Sequence, residues 1–546
     1  MAGDFPAPSA DVLDSWKAIA GYLGRDVRTV IRWERSRGLP VHRLPGGPKA
    51  SVYALRSEVE AWRKRRAIHA VGREQDETAP AAPAPKPASS SVAVLPLANP
   101  SADKENEYFG DGLADEIITA LARLPGLRVI ARTSSFAFRG KDQDVREIGL
   151  KLGVGSLIEG SVQRAGNRLR VHVQLVSCSD GCHLWADRYD RELTDIFSVQ
   201  DDIAASVTAA LKVAVDSPRP PRKTPDLEAY TCWMQGRYYQ LGLRSFDEVR
   251  KATEFFSRAV AIDPQFAPAH MALGESLLNL AVLGLVSPRG IEHQARREIE
   301  TALALDPRLG EAHAADGILR ALFDFDWTGA GNAFSTALTL APGQAGIHRR
   351  RAGCLLIPLL RLEEAEEEAR TSMELDPICP ESQFLAALVL LFQRDYARAE
   401  ANIRMMMQVG SPNPYTIWVL GIVAAMQQRF DEAIASCEKA ARLFGGAPVL
   451  SAGLGMLYGM AGRTGEARRL LEQMDQLAAR GGHVSPVFRA MVLVGINDFD
   501  GAFASLERAV EGRDPHILHL PGKPVYDRLR GDPRFAALLR KMNLDG

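Results

Sequence analysis

Trp327, Leu362, Tyr396, Phe430, Thr464 and Phe499 recur every 34 or 35 residues, and each is followed three positions later by an alanine: Ala330, Ala365, Ala399, Ala433, Ala467 and Ala502. That period marks a repeated helix-turn-helix unit, which cannot bury its apolar face alone and must stack on its neighbours. Gly353, Gly421 and Gly455 each stand twelve residues ahead of one of those alanines. The spacing pairs a small residue on each helix of a unit, so that the two backbones approach closely. Pro264, Pro307, Pro342 and Pro377 mark the ends of the second helices, because proline disfavours helix in the residue before it.

From Asp226 to about Gly512 the pattern holds roughly eight helical pairs. This region resembles the tetratricopeptide repeat family, which implies an all-α solenoid over 226–515 whose groove receives a protein or peptide. The wider spacing from Pro264 to Pro307 implies an insertion near Leu283–Gly290. In the 516–546 segment, Val525–Leu544 is expected to cap the last apolar face. His270, His313 and His348 fall singly in repeat helices and read as surface or packing residues.

Two breaks divide the remainder of the 546 residues. Thr78–Ser91 (TAPAAPAPKPASSS) makes 71–90 a Pro/Ala-rich linker, and Asp216–Pro225 (DSPRPPRKTP) forms a second break. The expected architecture is therefore multidomain: 11–70, 91–215 and the repeats. Residues 1–73 hold fourteen Lys/Arg against seven Asp/Glu, a balance of +7 that leaves −8 for the rest of a chain whose total is −1. A basic head on an acidic body points to a polyanion contact at the N-terminus, with no general affinity for nucleic acid or anionic membrane.

Within that head, Trp16, Ile19, Ala20 and Leu23 have the spacing of one buried helix face. A second helix follows Asp26, with Val27, Val30 and Ile31 facing inward. Ala20, Gly24 and Val30 supply a small residue at a crossing, a turn glycine and a β-branched anchor, the helix-turn-helix arrangement. The segment SWKAIAGYLGRDVRTVIRWERSRGLPVHRL resembles the excisionase and MerR-like winged readers. That implies a small winged helix-turn-helix domain, with wing strands at Leu39–His42 and Ser51–Ala54, and with Leu55, Val59 and Trp62 closing the core. Arg28, Arg32 and Arg35, with Thr29 beside them, form the expected base-reading stripe, since arginine chelates guanine O6/N7. Arg25, Arg43 and Lys49 are expected on phosphates. Trp33 is expected to pack on the wing.

The middle region alternates apolar strands and helical patterns: strands at Val92–Leu97, Arg128–Ala131, Ser156–Val162 and Arg168–Val176, helices at Tyr108–Leu124, Val145–Leu152 and Ser198–Lys212. It reads as an α/β module. SVAVLPLANPSADKENEYFGDGLADEI, RVIARTSSFAFRGK, IEGSVQRAGNRLRVHVQL and HLWADRYDRELTDIF resemble the TolB-like amino-terminal module that accompanies tetratricopeptide arrays in bacterial regulators and in some adenylate cyclases. The three regions use the chain, and no separate cyclase domain is expected.

Candidates for chemistry resolve into structural roles. Cys178, Cys182 and His183 surround Asp180-Gly181, which reads as a hairpin turn rather than a metal site. Asp111, Asp115 and Glu116 are expected to complement a helix dipole. Gly453–Gly459 lies in a repeat helix, and no G-x-x-x-x-G-K-[ST] phosphate loop occurs. Cys232, Cys354, Cys379 and Cys437 act as small hydrophobes in helical patterns. No catalytic, cofactor-binding or metal residue is assigned, and enzyme activity is not expected.

Apolar runs such as Leu277–Val286 and Ile417–Met426 are too short to span a bilayer, and a cytoplasmic location is expected. The functional expectation is a transcriptional regulator that binds double-stranded DNA through its N-terminal domain and a protein or peptide through its repeats. The alternative is a signalling scaffold that binds proteins and no DNA.

Overall fold

The structure, a computed structural model, describes residues 12–13, 15–23, 27, 30, 39–43, 52–60, 91–100, 107–124, 126–140, 143–165, 168–192, 196–211, 226–240, 246–409, 414–443 and 448–544. They belong to two compact units, Met1–Lys86 and Pro87–Gly546.

In the first unit, Ser15 starts the helix Trp16–Leu23 by accepting the Ala18 amide on its hydroxyl at 3.2 Å. Ile19 and Ala20 from this helix bury with Leu13, Val30, Leu39, Ala54 and Val59. A three-stranded antiparallel sheet closes that core in the order β1 (Val12–Leu13), β3 (Val52–Leu55), β2 (His42–Arg43). β2 and β3 pair close to where two strands were expected, each set slightly further along the chain. β1 had no signal, because two residues are too few to show an alternation. Val27, expected inward, is 36% exposed, since Val30 fills the small core and Val27 lies at its margin. Leu55 is only half-buried, at the end of β3. Ile31, Trp33 and Trp62 lie outside the described residues.

The second unit begins with a five-stranded sheet, ordered β5 (Arg128–Val129), β4 (Ser91–Val94), β6 (Ser156–Ala165), β7 (Arg168–Ser177), β8 (His183–Glu192). β4 pairs in parallel with both neighbours and the remaining pairs are antiparallel. Helices cover both faces of β4, which is why it reads as an unbroken apolar run. Val92, Val94 and Ile158 pack in the core that holds Glu107–Ala122 and Ile196–Ala210; Ala93 and Leu157 face Val145–Leu152. The last helix has the ends the sequence gives it: Asp144 accepts the Arg146 amide, and Gly153 closes it at φ 67°. The hairpin read at Asp180-Gly181 implies a strand after the turn but not the bounds of β8, and the short helix Arg132–Phe136 was not expected from the sequence. Only Tyr189 of β8 is fully buried, so that strand has no apolar alternation.

Eight helical pairs follow among the described residues. They are Leu227–Gln240 with Phe246–Ile262, Ala267–Val282 with Pro288–Leu305, Gly310–Leu319 with Trp327–Leu340, and Ala345–Arg351 with Leu362–Leu375. Then come Pro380–Phe392 with Tyr396–Val409, Pro414–Met426 with Phe430–Leu443, Pro448–Met460 with Thr464–Ala479, and Pro486–Gly495 with Phe499–Glu511. Each of the six recurrent residues opens a second helix, and all six alanines are fully buried.

Gly421 does face its partner, since a Cβ there would stand 2.9 Å from the Ala433 carbonyl. Gly455 packs on Leu470 of its own second helix and on Val492 of the next pair. Gly353 has open space around it, because the helix widens there into a π-turn over Ala352–Leu356. The extra residues of pair two lie about the turn at 283–287, near where the insertion was expected, and lengthen both helices, to 16 and 18 residues against 13 and 14 in pair five.

Two devices repeat at the turns. Phe325, Leu360, Arg394, Gln428, Gly462 and Asn497 all adopt positive φ, each two residues before a second helix. Only one of the six is glycine. Between pairs, His270, His313 and His348 each set Nε2 against the carbonyl of the proline six residues earlier, and Gln383 does the same at Pro377. These histidines are thus one recurrent turn clasp rather than isolated surface residues, a P-x5-H spacing visible in the sequence.

Candidate functional site

Arg25, Arg28, Thr29, Arg32, Arg35 and Lys49, the expected DNA contacts, lie outside the described residues. Arg43 has its backbone in β2, paired with Val52. The described residues of this unit are tied to one another. Tyr22 donates to Glu60 at 2.9 Å, joining the first helix to the segment after β3, and His42 on β2 lies 2.6 Å from Glu58.

In the second unit the informative surface is the face formed by the first helices of the pairs. The chain covers it with two of its own elements. Glu107–Ala122 runs from pair one to the turn between pairs three and four: Gly112 packs on Met234, and the Gly343 amide donates to the Ala122 carbonyl at 3.2 Å. Beside it, Ser134 donates to Asp376 at 2.6 Å, and the Ala131 amide to the Leu375 carbonyl at 2.7 Å.

The sequence reading placed Asp111, Asp115 and Glu116 at a helix start. They sit beyond the first turn, where the dipole no longer acts, and all three are buried. Asp115 Oδ2 accepts from Arg132 Nη1 at 2.8 Å and from Arg237 Nη2 at 2.7 Å. Burial pushes this carboxyl up, but the two guanidiniums outweigh it and hold the pKa below the ordinary range. Burial raises Asp111 despite its ion pair with Arg139.

The other element is the C-terminal segment. Expected as an end cap, it runs back across the array instead, through short 3-10 turns at Pro515–His519 and Pro524–Leu529 to the helix Pro533–Lys541. Its last helix does rest on pair eight, where Arg534 pairs with Asp500 at 2.8 Å. Its end, however, reaches pair three: Trp327 Nε1 donates to the Met542 carbonyl at 2.8 Å. Between these, His516 Nε2 donates to the Val282 carbonyl at 3.1 Å and His519 Nε2 to the Gly353 carbonyl at 3.2 Å. A carbonyl can only accept, so each ring carries its proton on Nε2. Arg394 donates to the Gly522 carbonyl at 2.7 Å and to Asp527 at 2.6 Å.

Lys523 lies over the Trp418 ring at 5.9 Å. Desolvation lowers its pKa to about 8, and the same cause, with Lys523 nearby, takes both histidines well below the usual imidazole range. Trp418 Nε1, Thr416 Oγ1 and Tyr526 OH are buried without a hydrogen-bond partner among the described residues. None of these contacts was visible in the sequence, since each joins residues far apart along the chain.

The remaining candidates resolve simply. Cys178 and Cys182 flank the β7–β8 turn, where Gly181 has φ 77° and the Ser177 amide donates to the Cys182 carbonyl. Among the described residues no group of three or more His, Cys, Asp or Glu is placed to hold a metal. Gly453 lies under Trp418 and Gly459 against the Gly495 backbone, so both serve close packing. Among the described residues no helix is long and apolar enough to cross a membrane.

No family model matches the chain. A curated relative, putative adenylate cyclase 3 of Rhizobium meliloti (strain 1021), is 38% identical over 265 residues, covering 44% of this chain and 45% of that protein. The chain thus spans less than half the length of that relative. The expectation of no enzyme activity is corrected by this match, because the relative carries an enzyme's name. That expectation rested on finding no reactive constellation in the sequence, yet folding brings together residues as distant as Asp115 and Arg237.

Among solved structures, a tetratricopeptide repeat protein from Parabacteroides merdae ATCC 43184 is 16% identical, covering 48% of this chain and 94% of that one, with a TM-score of 0.33. The Cut9-Hcn1 structure of the APC/C is 15% identical, covering 72% and 64%, with a TM-score of 0.37. At such scores neither adds to the repeat assignment, which stands on the eight helical pairs themselves.

Proposed function

We propose that the chain is a regulator that reads double-stranded DNA through its N-terminal unit and binds protein through its tetratricopeptide-type repeats. The observation that carries the DNA reading is Val30, fully buried with Ile19 and Ala20 in a small core beside the β2–β3 ribbon. Two helical segments sharing such a core beside a ribbon fit a winged helix-turn-helix reader. By helical spacing from Val30, Arg28, Arg32 and Arg35 fall on the opposite side of the second helix, with Thr29 flanking them; Arg25, Arg43 and Lys49 are assigned to phosphates. The +7 balance of residues 1–73 supports the same reading.

The test is duplex selection with the full-length chain, followed by binding of the Arg28→Ala and Arg32→Ala variants to the selected site. Each substitution is expected to cost about 1–3 kcal/mol and to relax specificity at one position. Unchanged affinity in both variants, or no selection above random duplex, rejects the reading.

The relative's name supports a second reading of another class, in which the shared stretch takes part in adenylate cyclase activity. Formation of cyclic AMP from ATP by the purified full chain tests it directly, and no product above background excludes it for this chain.

A further inference from the structure

Side-by-side first helices make a surface suited to a single linear chain segment. Residues 513–530 lie on that surface as a bound peptide would. Side chains of the array hold the segment through its backbone as well as its side chains, with Arg394 on the Gly522 carbonyl and on the Asp527 carboxylate. Leu388, Leu391, Ile422 and Met456 line the place where Pro524 and Val525 sit. Lys523 meets the Trp418 ring and the Met491 sulfur, the latter at 3.3 Å.

The fit is uneven. Ile517, Leu518, Leu520, Val525, Tyr526 and Leu529 are buried. Yet the segment also desolvates an ammonium group, its own Tyr526 OH has no hydrogen-bond partner among the described residues, and neither have Trp418 Nε1 and Thr416 Oγ1 on the helix that Lys523 meets. Unpaired buried polar groups weigh against the seated state. Both ends are tethered, one by Phe499–Glu511 and the other by Trp327 on Met542, so the strap can leave without loss of the rest.

We infer that residues 513–530 are a built-in occupant of the array's peptide-binding face, and that its protein partner is a linear segment of the same chemistry which folds into the same short turns and takes their place. That chemistry is a basic side chain for the Trp418 ring, a proline beside it, apolar neighbours, and a carboxylate four residues further on for Arg394. The inference rests on the reading of the repeats as a protein-binding array.

A fluorescent peptide copying residues 513–531, titrated into the full-length chain and into a full-length Leu520→Ser, Val525→Ser, Tyr526→Ser variant, tests it. The variant is expected to bind at least tenfold more tightly than the unmodified chain, whose own strap competes, and Arg394→Ala in the variant should remove that gain. A folded variant that binds no better than the unmodified chain overturns the inference. If the variant does not fold, hydrogen exchange of the unmodified chain decides. Strap amides exchanging at least tenfold faster than those of Pro380–Phe392 support it, and equal protection overturns it. Neither measurement involves DNA or a natural partner. A strap that never leaves therefore sinks this inference alone, leaving protein binding by other surfaces of the repeats to be judged separately.

Discussion

Trp327 opens the second helix of pair three, and its indole nitrogen donates to the carbonyl of Met542, 215 residues later in the chain. Through that bond the C-terminal helix is fastened to the middle of the array as well as to its last pair.

Trp327→Phe keeps a ring to stack on Phe325 but leaves the Met542 carbonyl without its donor. The expected loss is about 1–3 kcal/mol in urea unfolding. Faster hydrogen exchange confined to Pro533–Lys541 should accompany it, and unchanged exchange there would assign the bond no role.

Asp115 is the shared acceptor of Arg132 and Arg237, which belong to the α/β layer and to pair one. Asp115→Asn leaves two buried guanidiniums undercompensated, so a loss of about 3–5 kcal/mol is expected by chemical denaturation. Since the folded pKa of Asp115 lies below its unfolded value, its contribution is present above about pH 4 and fades as pH falls through the folded pKa. A stability curve of the Asn variant that parallels the unmodified chain through that acid range would contradict this.

The strap has its own acid limit. His516 and His519 are held neutral below the pH at which free imidazoles protonate. Below about pH 6.5 the released strap therefore binds more protons than the seated one, and seating weakens as pH falls. Lys523 and His483 oppose protonation of His516, while buried Asp514 close by has its own pKa raised by desolvation. Hydrogen exchange of residues 515–530, corrected for intrinsic rates, should accelerate between pH 7.5 and pH 5.5 relative to Pro380–Phe392.

Gln428 carries the left-handed conformation that Gly462 carries one repeat later. Gln428→Gly removes a steric cost of about 1–2 kcal/mol, part of which returns as unfolded-chain entropy. A net gain of up to about 1 kcal/mol is expected in thermal or urea unfolding, and a loss would show that the glutamine side chain supports the turn.

How much of this the sequence discloses depends on whether a feature is local. The 34-residue period placed the opening residue of six second helices, and the pattern at Val145–Leu152 matched one helix of the α/β layer to the residue. β8 showed only through its hairpin turn because Trp185 and Tyr189 alone among its ten residues pack on the core, and Gly353 misled because a π-turn opens the helix just where a close crossing was expected. The ties among Asp115, Arg132 and Arg237, and those between Arg394 and the strap, are fixed by tertiary placement alone. The proposed DNA contacts are legible only as spacing, since Arg28, Arg32 and Arg35 lie outside the described residues.

In an open stack of repeats each unit leans only on the next, so order is lost piecemeal from the ends. Here Glu107–Ala122 joins pair one to the turn before pair four, and the C-terminal segment ties pair eight back to pairs two, three and four. The consequence is mechanical: a pull on either terminus is shared across many repeats at once, and the array behaves as a braced beam rather than as a spring.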